Sequence, residues 1–274
     1  MVSTVANVDV KQKDAEQALV VAISCSAVLE DTDDGEVHGV GVAFPLLQAV
    51  QNVNRRLVAA NSAESLLFDV LLVTTDGRRQ QSARIVSSTK HHGLEVSRFC
   101  FSGREDFVES LLENRVQLFL SAEPEEASQA WQRVQGVTRL SPEDGWDRLE
   151  HACDPCVLSA LLGRQTWSSS SEQLRVLLCG GDIFTTPANP TPAAQRFWSQ
   201  LGAMRGRFGV LDSPVSVSVL TAHGGRQSFG DALATLRSRG LKADEAHCLA
   251  GAPRGPILDL LRPHFLLGDG GLER

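Results

Sequence analysis

The hydrophobic positions in the first part of the chain fall into short apolar runs separated by amphipathic segments. The run ALVVAIS begins at Ala18 and precedes AFPLLQAVQNVNRRL, in which Leu46, Val50 and Val53 recur at the spacing of one helical face. Three further apolar runs, LFDVLLVTT, EVSRFCFSG and VQLFLSA, are interleaved with the helix-like segments EDFVESLLENR and PEEASQAWQRV. This succession predicts βαβ units and an α/β fold with parallel strands.

The second part of the chain shows the same order of patterns. LRVLLCGGDIF precedes AAQRFWSQLGAMRGRF, VSVSVLTAHGGR precedes FGDALATLRSRG, and EAHCLAGAPRGP precedes ILDLLRPH and FLLGD. Thr74 and Thr221 are separated along the chain by the same number of residues as Leu118 and Phe265. This common offset predicts an internal duplication, with one α/β half at 17–135, a connector at 136–173 and a second half at 174–274. The alternative is that any α/β chain resembles itself to this extent.

Composition and charge narrow the classes of partner. The chain has 274 residues and a formal net charge of -7, a mild acidic excess. Nucleic acid and anionic membranes are therefore not expected as main partners, because proteins that bind them usually carry a basic face. No apolar run approaches the roughly 20 residues of a membrane-spanning helix, and the polar start MVSTVANVDVKQKDAEQ is unlike a secretory leader. A cytosolic protein is the expectation.

Candidate chemistry lies where the strands of the second half end. Ligands of parallel α/β sheets bind at the carboxyl ends of the strands. Those ends carry the run from Cys179 to Asp182, then Thr221, then Arg254 in the loop GAPRGP, and finally Asp269. A hydroxyl, a guanidinium and carboxylates at one sheet edge are the groups that a Mg²⁺-dependent phosphoryl-transfer site uses.

Several of these runs resemble one known family. LRVLLCGGDIF, SVLTA, LAGAPRGPILDLLRPHFLLGD, AFPLLQAVQNVNRRL, FDVLLVTT and RFCFSG are similar to segments of the cytosolic 5'-nucleotidase type 1 family, phosphatases of the haloacid dehalogenase (HAD) superfamily. The resemblance extends from about Ala18 to Asp269. It implies two HAD-like Rossmannoid units and the hydrolysis of nucleoside 5'-monophosphates, AMP above all, with Mg²⁺ and an aspartyl-phosphate intermediate.

The resemblance fails at the catalytic carboxylates. The family's first sheet strand in this half ends in Asp-Gly-Asp, the nucleophile and the acid/base, whereas this chain has Cys179, Gly180 and Gly181. A thiolate is a poor Mg²⁺ ligand, so Cys179 is not expected to replace the nucleophile. A register shifted by three residues would make Asp182 the nucleophile and a metal ligand, with Thr186 four residues later. The alternative is that Asp182 is an ordinary turn residue.

Other family positions are partly kept. Thr221 matches the phosphate-binding threonine, and Arg254 stands where the family has a lysine, which retains the positive charge as a planar fork. Gly268 replaces the first of two metal-binding aspartates and Asp269 remains. The alternatives are a threonine bonded to nearby backbone and a solvated arginine. The segment from Asn54 to Arg56 follows the family and is interpreted as a helix surface that pairs with the other half.

Three functional hypotheses follow. The first is the Mg²⁺-dependent 5'-nucleotidase itself, and the second is an inactive relative that still holds a nucleoside monophosphate at Thr221 and Arg254. The third is a regulatory partner that assembles with itself or with an active nucleotidase. By the repeat alignment, the first half has Ser24-Cys25-Ser26 where the second has Cys179-Gly180-Gly181, so neither half carries the carboxylate pair.

Overall fold

The computed structural model describes residues 3–31, 37–75, 79–103, 106–123, 126, 129–130, 137–139, 172–179, 192–209, 212–221 and 226–268. In chain order the elements are β1 (Ser3–Ala6), β2 (Leu19–Ser24), α1 (Cys25–Val28), β3 (Leu29–Glu30), β4 (Gly39–Val40), α2 (Phe44–Ala60), β5 (Phe68–Thr74), α3 (Arg79–His91), β6 (Arg98–Phe101), α4 (Phe107–Glu113), β7 (Leu118–Ser121), β8 (Val137–Arg139), β9 (Leu174–Cys179), α5 (Pro192–Gly206), β10 (Val215–Thr221), α6 (Arg226–Ser238), β11 (Glu245–Cys248), α7 (Gly255–Leu261) and β12 (Phe265–Gly268).

These elements form two main sheets with helices between successive strands. The first sheet has the order β1-β6-β5-β2-β7-β8 and is parallel except for β1, which pairs antiparallel with β6. The second sheet has the order β11-β10-β9-β12 and its described pairs are all parallel. The predicted α/β class with parallel sheets is confirmed. The full burial of β2 and β5 explains why their sequences are mostly apolar, since both faces of such strands are covered.

The four central strands of the first sheet and the four strands of the second share one order and one register. Ser24 lies opposite Val73 in the first sheet, and Cys179 lies opposite Leu220 in the second. The next pairing also corresponds, with Ile23 opposite Leu120 and Leu178 opposite Leu267. Ser24 and Cys179, and likewise Val73 and Leu220, therefore occupy equivalent places in the two sheets.

One hydrophobic cluster joins the two sheets. It contains Ile23 of β2, Val53 of α2, Leu178 of β9 and Phe197 of α5, each exposed by 1% or less. Helix α2 of the first half contacts β9 of the second sheet. Helix α5 of the second half contacts β2 of the first sheet as well as β10 of its own sheet. The two predicted halves thus share apolar packing, and the connector at 136–173 falls almost entirely outside the described residues.

Helix α2 links the halves by polar contacts as well. Arg56 donates to the Asp212 carboxylate at 2.7 Å, and its guanidinium lies 5.3 Å from the centre of the Phe208 ring. This contact confirms the predicted pairing of the helix surface with the other half. Asn54 differs, because its amide donates to the carbonyl of Phe68 and accepts from the N–H of Phe68, both at 2.8 Å, and so fixes the start of β5.

Strand β1 was not predicted from the sequence. Its four residues, Ser3–Ala6, are all exposed, so they carry no apolar alternation that would mark a strand. Within the described part of the chain, no helix combines the length and the apolar character that crossing a membrane requires.

Candidate functional site

The carboxyl ends of β9, β10 and β12 lie side by side in the second sheet. Cys179 ends β9 and pairs with Leu220 on one side and with Gly268 on the other. Thr221 follows Leu220 and ends β10. The structure therefore brings together three positions that the sequence placed at one edge: Cys179, Thr221 and Gly268.

Cys179 is a core residue at this edge. Its exposed fraction is 1%, and it belongs to a small apolar cluster with Leu177, Leu220 and Leu258. A thiol in such surroundings packs as a small apolar side chain. The position where the resemblance places a nucleophilic carboxylate is therefore filled by a buried group that a substrate does not reach.

Thr221 is also buried, with 6% of its surface exposed. Its hydroxyl donates to the carbonyl of His247 on the neighbouring strand β11, at 3.4 Å. This length is at the long limit for a hydroxyl donor, so the bond is weak and an anionic oxygen is a better acceptor. The sequence left open a bond from this hydroxyl to nearby backbone of its own loop. In the structure the hydroxyl bonds the adjacent strand instead.

Arg254 lies just before α7, in the loop that follows β11. This loop starts at Leu249, whose N–H donates to the carbonyl of Thr221 at 2.9 Å. The Arg254 carbonyl accepts from Ile257 and Leu258 at 3.1 and 3.0 Å, which anchors its backbone to the first turn of the helix. The half-buried side chain makes no hydrogen bond or ion pair with the described residues. Its guanidinium is thus available to an anion at this edge.

The remaining predicted site residues, Asp182, Asp269, Gly180 and Gly181, lie outside the described residues. What the described part of this edge offers a metal is a buried thiol, a hydroxyl and, at Gly268, no side chain. Mg²⁺ prefers carboxylate and other hard oxygen ligands. No group of three or more His, Cys, Asp or Glu side chains in the described chain is arranged to hold a metal ion. These residues do not fit Mg²⁺.

The equivalent edge of the first sheet carries a cleft of about 450 Å³. Ser24 ends β2 and its hydroxyl lies 3.0 Å from that of Ser26. The Glu126 carboxylate accepts from the hydroxyls of Thr75 at 3.2 Å and Ser121 at 2.7 Å. Sequence reasoning treated this half as scaffold and did not single out Glu126. The signal was available in part, because Ser24, Thr75 and Ser121 all sit where buried apolar strands end.

Burial perturbs two titratable groups that line this cleft. Burial raises the pKa of the Cys25 thiol, and the nearby Glu126 and Cys100 add to the effect. Burial also lowers the pKa of His38, together with the Arg84 guanidinium, while Asp31 acts in the opposite direction. Both shifts favour the neutral form of the group at neutral pH.

Comparison with known proteins places this architecture in a family. A family model described as 5'-nucleotidase matches residues 30–150. The chain is also 31% identical over 249 residues to cytosolic 5'-nucleotidase 1B of Homo sapiens, an alignment that covers 87% of this chain and 40% of that protein. These matches support membership of the cytosolic 5'-nucleotidase family. It spans 40% of the length of this relative.

Proposed function

We propose that this protein binds nucleoside 5'-monophosphates at the carboxyl edge of its second sheet and does not hydrolyse them. The observation that carries the proposal is Cys179, a thiol that is 1% exposed and pairs with Gly268 at the end of the central strand. The family resemblance expects a nucleophilic carboxylate at Cys179 and a metal-binding carboxylate at Gly268. Both are absent from this chain.

The missing groups act in the same step. Attack on phosphorus through an aspartyl-phosphate requires an accessible carboxylate, and Mg²⁺ requires hard oxygen ligands around the same phosphate. A buried thiol and a glycine supply neither. Similarity to a 5'-nucleotidase family supports metal dependence in general, but the described residues of this edge do not fit a metal ion.

The capacity to hold a phosphate is retained. Arg254 presents a guanidinium with no ion pair among the described residues, and such a fork bonds phosphate oxygens through two parallel donors. The Thr221 hydroxyl lies at the same edge, and among the described residues it bonds only the carbonyl of His247, at the long distance of 3.4 Å. The two groups supply a charged and a neutral donor for one phosphate.

We also propose that the two sheets are HAD-like units that arose by duplication, with boundaries at 17–135 and 174–274. The shared strand order and the matching pairs Ser24–Val73 and Cys179–Leu220 support this origin. The loss of carboxylates in the second unit then repeats the state of the first, which has Ser24 and Ser26 at the equivalent strand end.

A second candidate function is Mg²⁺-dependent hydrolysis with Asp182 as the nucleophile. The observation that favours it is the 31% identity to a cytosolic 5'-nucleotidase, together with the spacing of Asp182 and Thr186. It requires a longer strand or a bulge at Gly180 and Gly181 that brings Asp182 to the sheet edge, and glycines permit the backbone conformations that such a bulge needs.

Calorimetric titration of AMP into the full chain tests the proposal. We expect binding to the wild type and about tenfold weaker binding to Arg254→Ala, because one charge-assisted contact is lost. Arg237→Ala is the matched control, since Arg237 is an exposed arginine in the last turn of α6, far along the helix from this edge. Its binding should equal that of the wild type.

Phosphate release from AMP, with and without Mg²⁺, separates the two functions. The proposal expects no release above buffer from the wild type. Mg²⁺-dependent release that disappears in Asp182→Asn would establish the hydrolase instead. Absence of AMP binding, or binding that Arg254→Ala leaves unchanged, would overturn the assignment of the phosphate to this edge.

A further inference from the structure

The cleft of the first unit is a second concave site, apart from the edge proposed to bind phosphate. Its volume of about 450 Å³ falls within the range of small-molecule sites. It lies at the carboxyl ends of β2 and β5, the same topological place as the phosphate edge of the second sheet. The side chains that matter for its chemistry are Ser26, Leu29, Asp31, His38, Ile85 and Glu126.

His38 is a buried polar group that has no partner for one of its ring nitrogens. The residue is 5% exposed, and its backbone is fixed by bonds from its N–H to Ser88 and from the His92 ring to its carbonyl. Its Nδ1 lies 3.0 Å from the Asp31 carboxylate, outside good hydrogen-bond alignment, and Nε2 makes no hydrogen bond with the described residues. We assign the proton to Nδ1, which faces the carboxylate, so Nε2 is a buried acceptor.

The rest of the polar lining also accepts hydrogen bonds. Glu126 receives one hydroxyl on each oxygen, from Thr75 and Ser121, and each oxygen keeps a further lone pair. Glu30, Asp31 and Glu123 line the cleft as well, and none of the described lining residues is a lysine or arginine. Arg84 pairs with Asp31 at 3.6 Å, and the carboxylates of Glu30, Glu123 and Glu126 remain without a described cation in the lining, so an anionic ligand is disfavoured there. A suitable ligand donates several hydrogen bonds and carries no negative charge.

One wall of the cleft is apolar. Leu29 and Ile85 both line it, and each is mostly covered by the fold, with 5% and 4% of its surface exposed. A ligand that combines a flat apolar ring with hydroxyl and amino donors satisfies both walls at once.

We propose that this cleft binds an uncharged nucleoside. The sugar hydroxyls and a base amino group donate to Asp31, Glu126 and His38 Nε2, and the base lies against Leu29 and Ile85. The choice of a nucleoside over other donor-rich molecules rests on the proposed function, because a nucleoside is what remains of a nucleoside monophosphate without its phosphate. The cleft would then hold the nucleoside, and the edge of the second sheet would hold the nucleoside monophosphate.

Titration of adenosine into the full chain tests this assignment. We expect binding to the wild type and about tenfold or greater weakening in Ser26→Phe, which fills the cleft from an exposed position on α1. Ser238→Phe, the same change at an exposed serine of the second unit, should bind like the wild type. Asp31→Lys replaces a carboxylate whose side chain is 76% exposed, and it should weaken adenosine binding without unfolding the chain.

The phosphate-edge variant Arg254→Ala makes the two proposals independent. It should weaken AMP binding and leave adenosine binding unchanged. Adenosine binding that is absent from the wild type, or insensitive to both Ser26→Phe and Asp31→Lys, would overturn the nucleoside cleft. Adenosine binding lost in Arg254→Ala but kept in Ser26→Phe would place the nucleoside at the second sheet and overturn it too. A failure of AMP binding alone rejects the proposed function and leaves the adenosine result readable.

Discussion

At the residue scale, two residues each bond both the N–H and the carbonyl of one residue at or near the start of a strand. Asn54 bonds the N–H and the carbonyl of Phe68 at the start of β5. His264 accepts from the N–H of Arg175 through Nδ1 at 3.0 Å and donates its own N–H to the carbonyl of Arg175 at 2.9 Å. Such bonds satisfy buried backbone groups near the strand starts, so the protonation state of His264 matters for folding.

The stability of the protein should therefore depend on pH through His264. Burial, with a smaller effect of Arg175, lowers the pKa of His264 from 6.5 to about 4. The unfolded chain binds the proton first, so this contribution to stability is complete above pH 6.5 and is lost as the pH falls towards 4. We expect the loss to be roughly 2–3 kcal/mol in the free energy of unfolding, measured by urea denaturation across this range.

The variant His264→Asn checks the cause of that loss. An asparagine side chain offers an acceptor oxygen near the place of Nδ1 and has no proton to bind in this range. Its stability should fall less steeply with decreasing pH than that of the wild type. His91→Asn, at an exposed histidine, should follow the wild type. Equal slopes for the wild type and His264→Asn would contradict the prediction.

Sequence reasoning could place some candidate site residues at a sheet edge and could not place others, for a physical reason. Thr221 and Arg254 follow directly from strand ends, because a parallel sheet gathers its carboxyl ends at one edge. His38 lies in a segment between β3 and β4, whereas Glu126 is a helical residue, and the two meet the same cleft only through the tertiary fold. The periodicity of the sequence does not predict that these two side chains line one cleft.

At the scale of elements, helix α5 passes close to the turn after α6. A Cβ atom added at Gly202 would lie 2.0 Å from the carbonyl oxygen of Gly240, which is backbone and cannot rotate away. Gly240 itself has a φ of 83°, a conformation that favours glycine. This contact sets the approach of α5 to the α6 turn.

Gly202→Ala should consequently destabilise the protein by about 2 kcal/mol or more, since backbone has to shift to admit the methyl group. Gly206→Ala is the matched control in the same helix, because a Cβ atom there meets nothing within 4 Å. It should be neutral or slightly stabilising through helix propensity. Thermal denaturation followed by circular dichroism measures both, and equal melting temperatures for the two variants would contradict the close approach.

The buried strands and the amphipathic helix α2 could be predicted because their burial patterns leave apolar runs or a helical period in the sequence. The hairpin of β3 and β4 and the exposed edge strand β1 could not. Each β3 and β4 segment has only two residues, Leu29–Glu30 and Gly39–Val40, which is too short for any period to show. Pairing partners, and not local pattern, create these elements.

At the scale of the whole molecule, the sequence predicted two units but not how completely their packing is shared. Gln200 on α5 donates to the carbonyl of Gln17 at 2.7 Å and accepts from Gln117 at 2.6 Å, so polar contacts reinforce the common apolar cluster. The helical period of α2 predicted an apolar face. The period does not indicate which strand that face covers, and in the structure α2 contacts β9 of the other unit.

Fragments 1–135 and 174–274, expressed separately, should each lack the cooperative unfolding of the full chain. Each would expose an apolar face of α2 or α5 that the other unit covers in the intact protein. Urea denaturation followed by circular dichroism compares the fragments with the full chain, and the mixture of both fragments serves as the control. A fragment that unfolds cooperatively at the midpoint of the full chain would show that the units are independent.

The position of Cys179 has a consequence for how such a protein endures mutation. Its thiol completes a small apolar cluster, whereas a carboxylate there would have to be kept charged against burial. A thiol at this place therefore costs the fold less than a buried carboxylate would. Under the proposed function, the absence of the carboxylate carries no cost in folding stability at this strand end, so binding and stability are retained together.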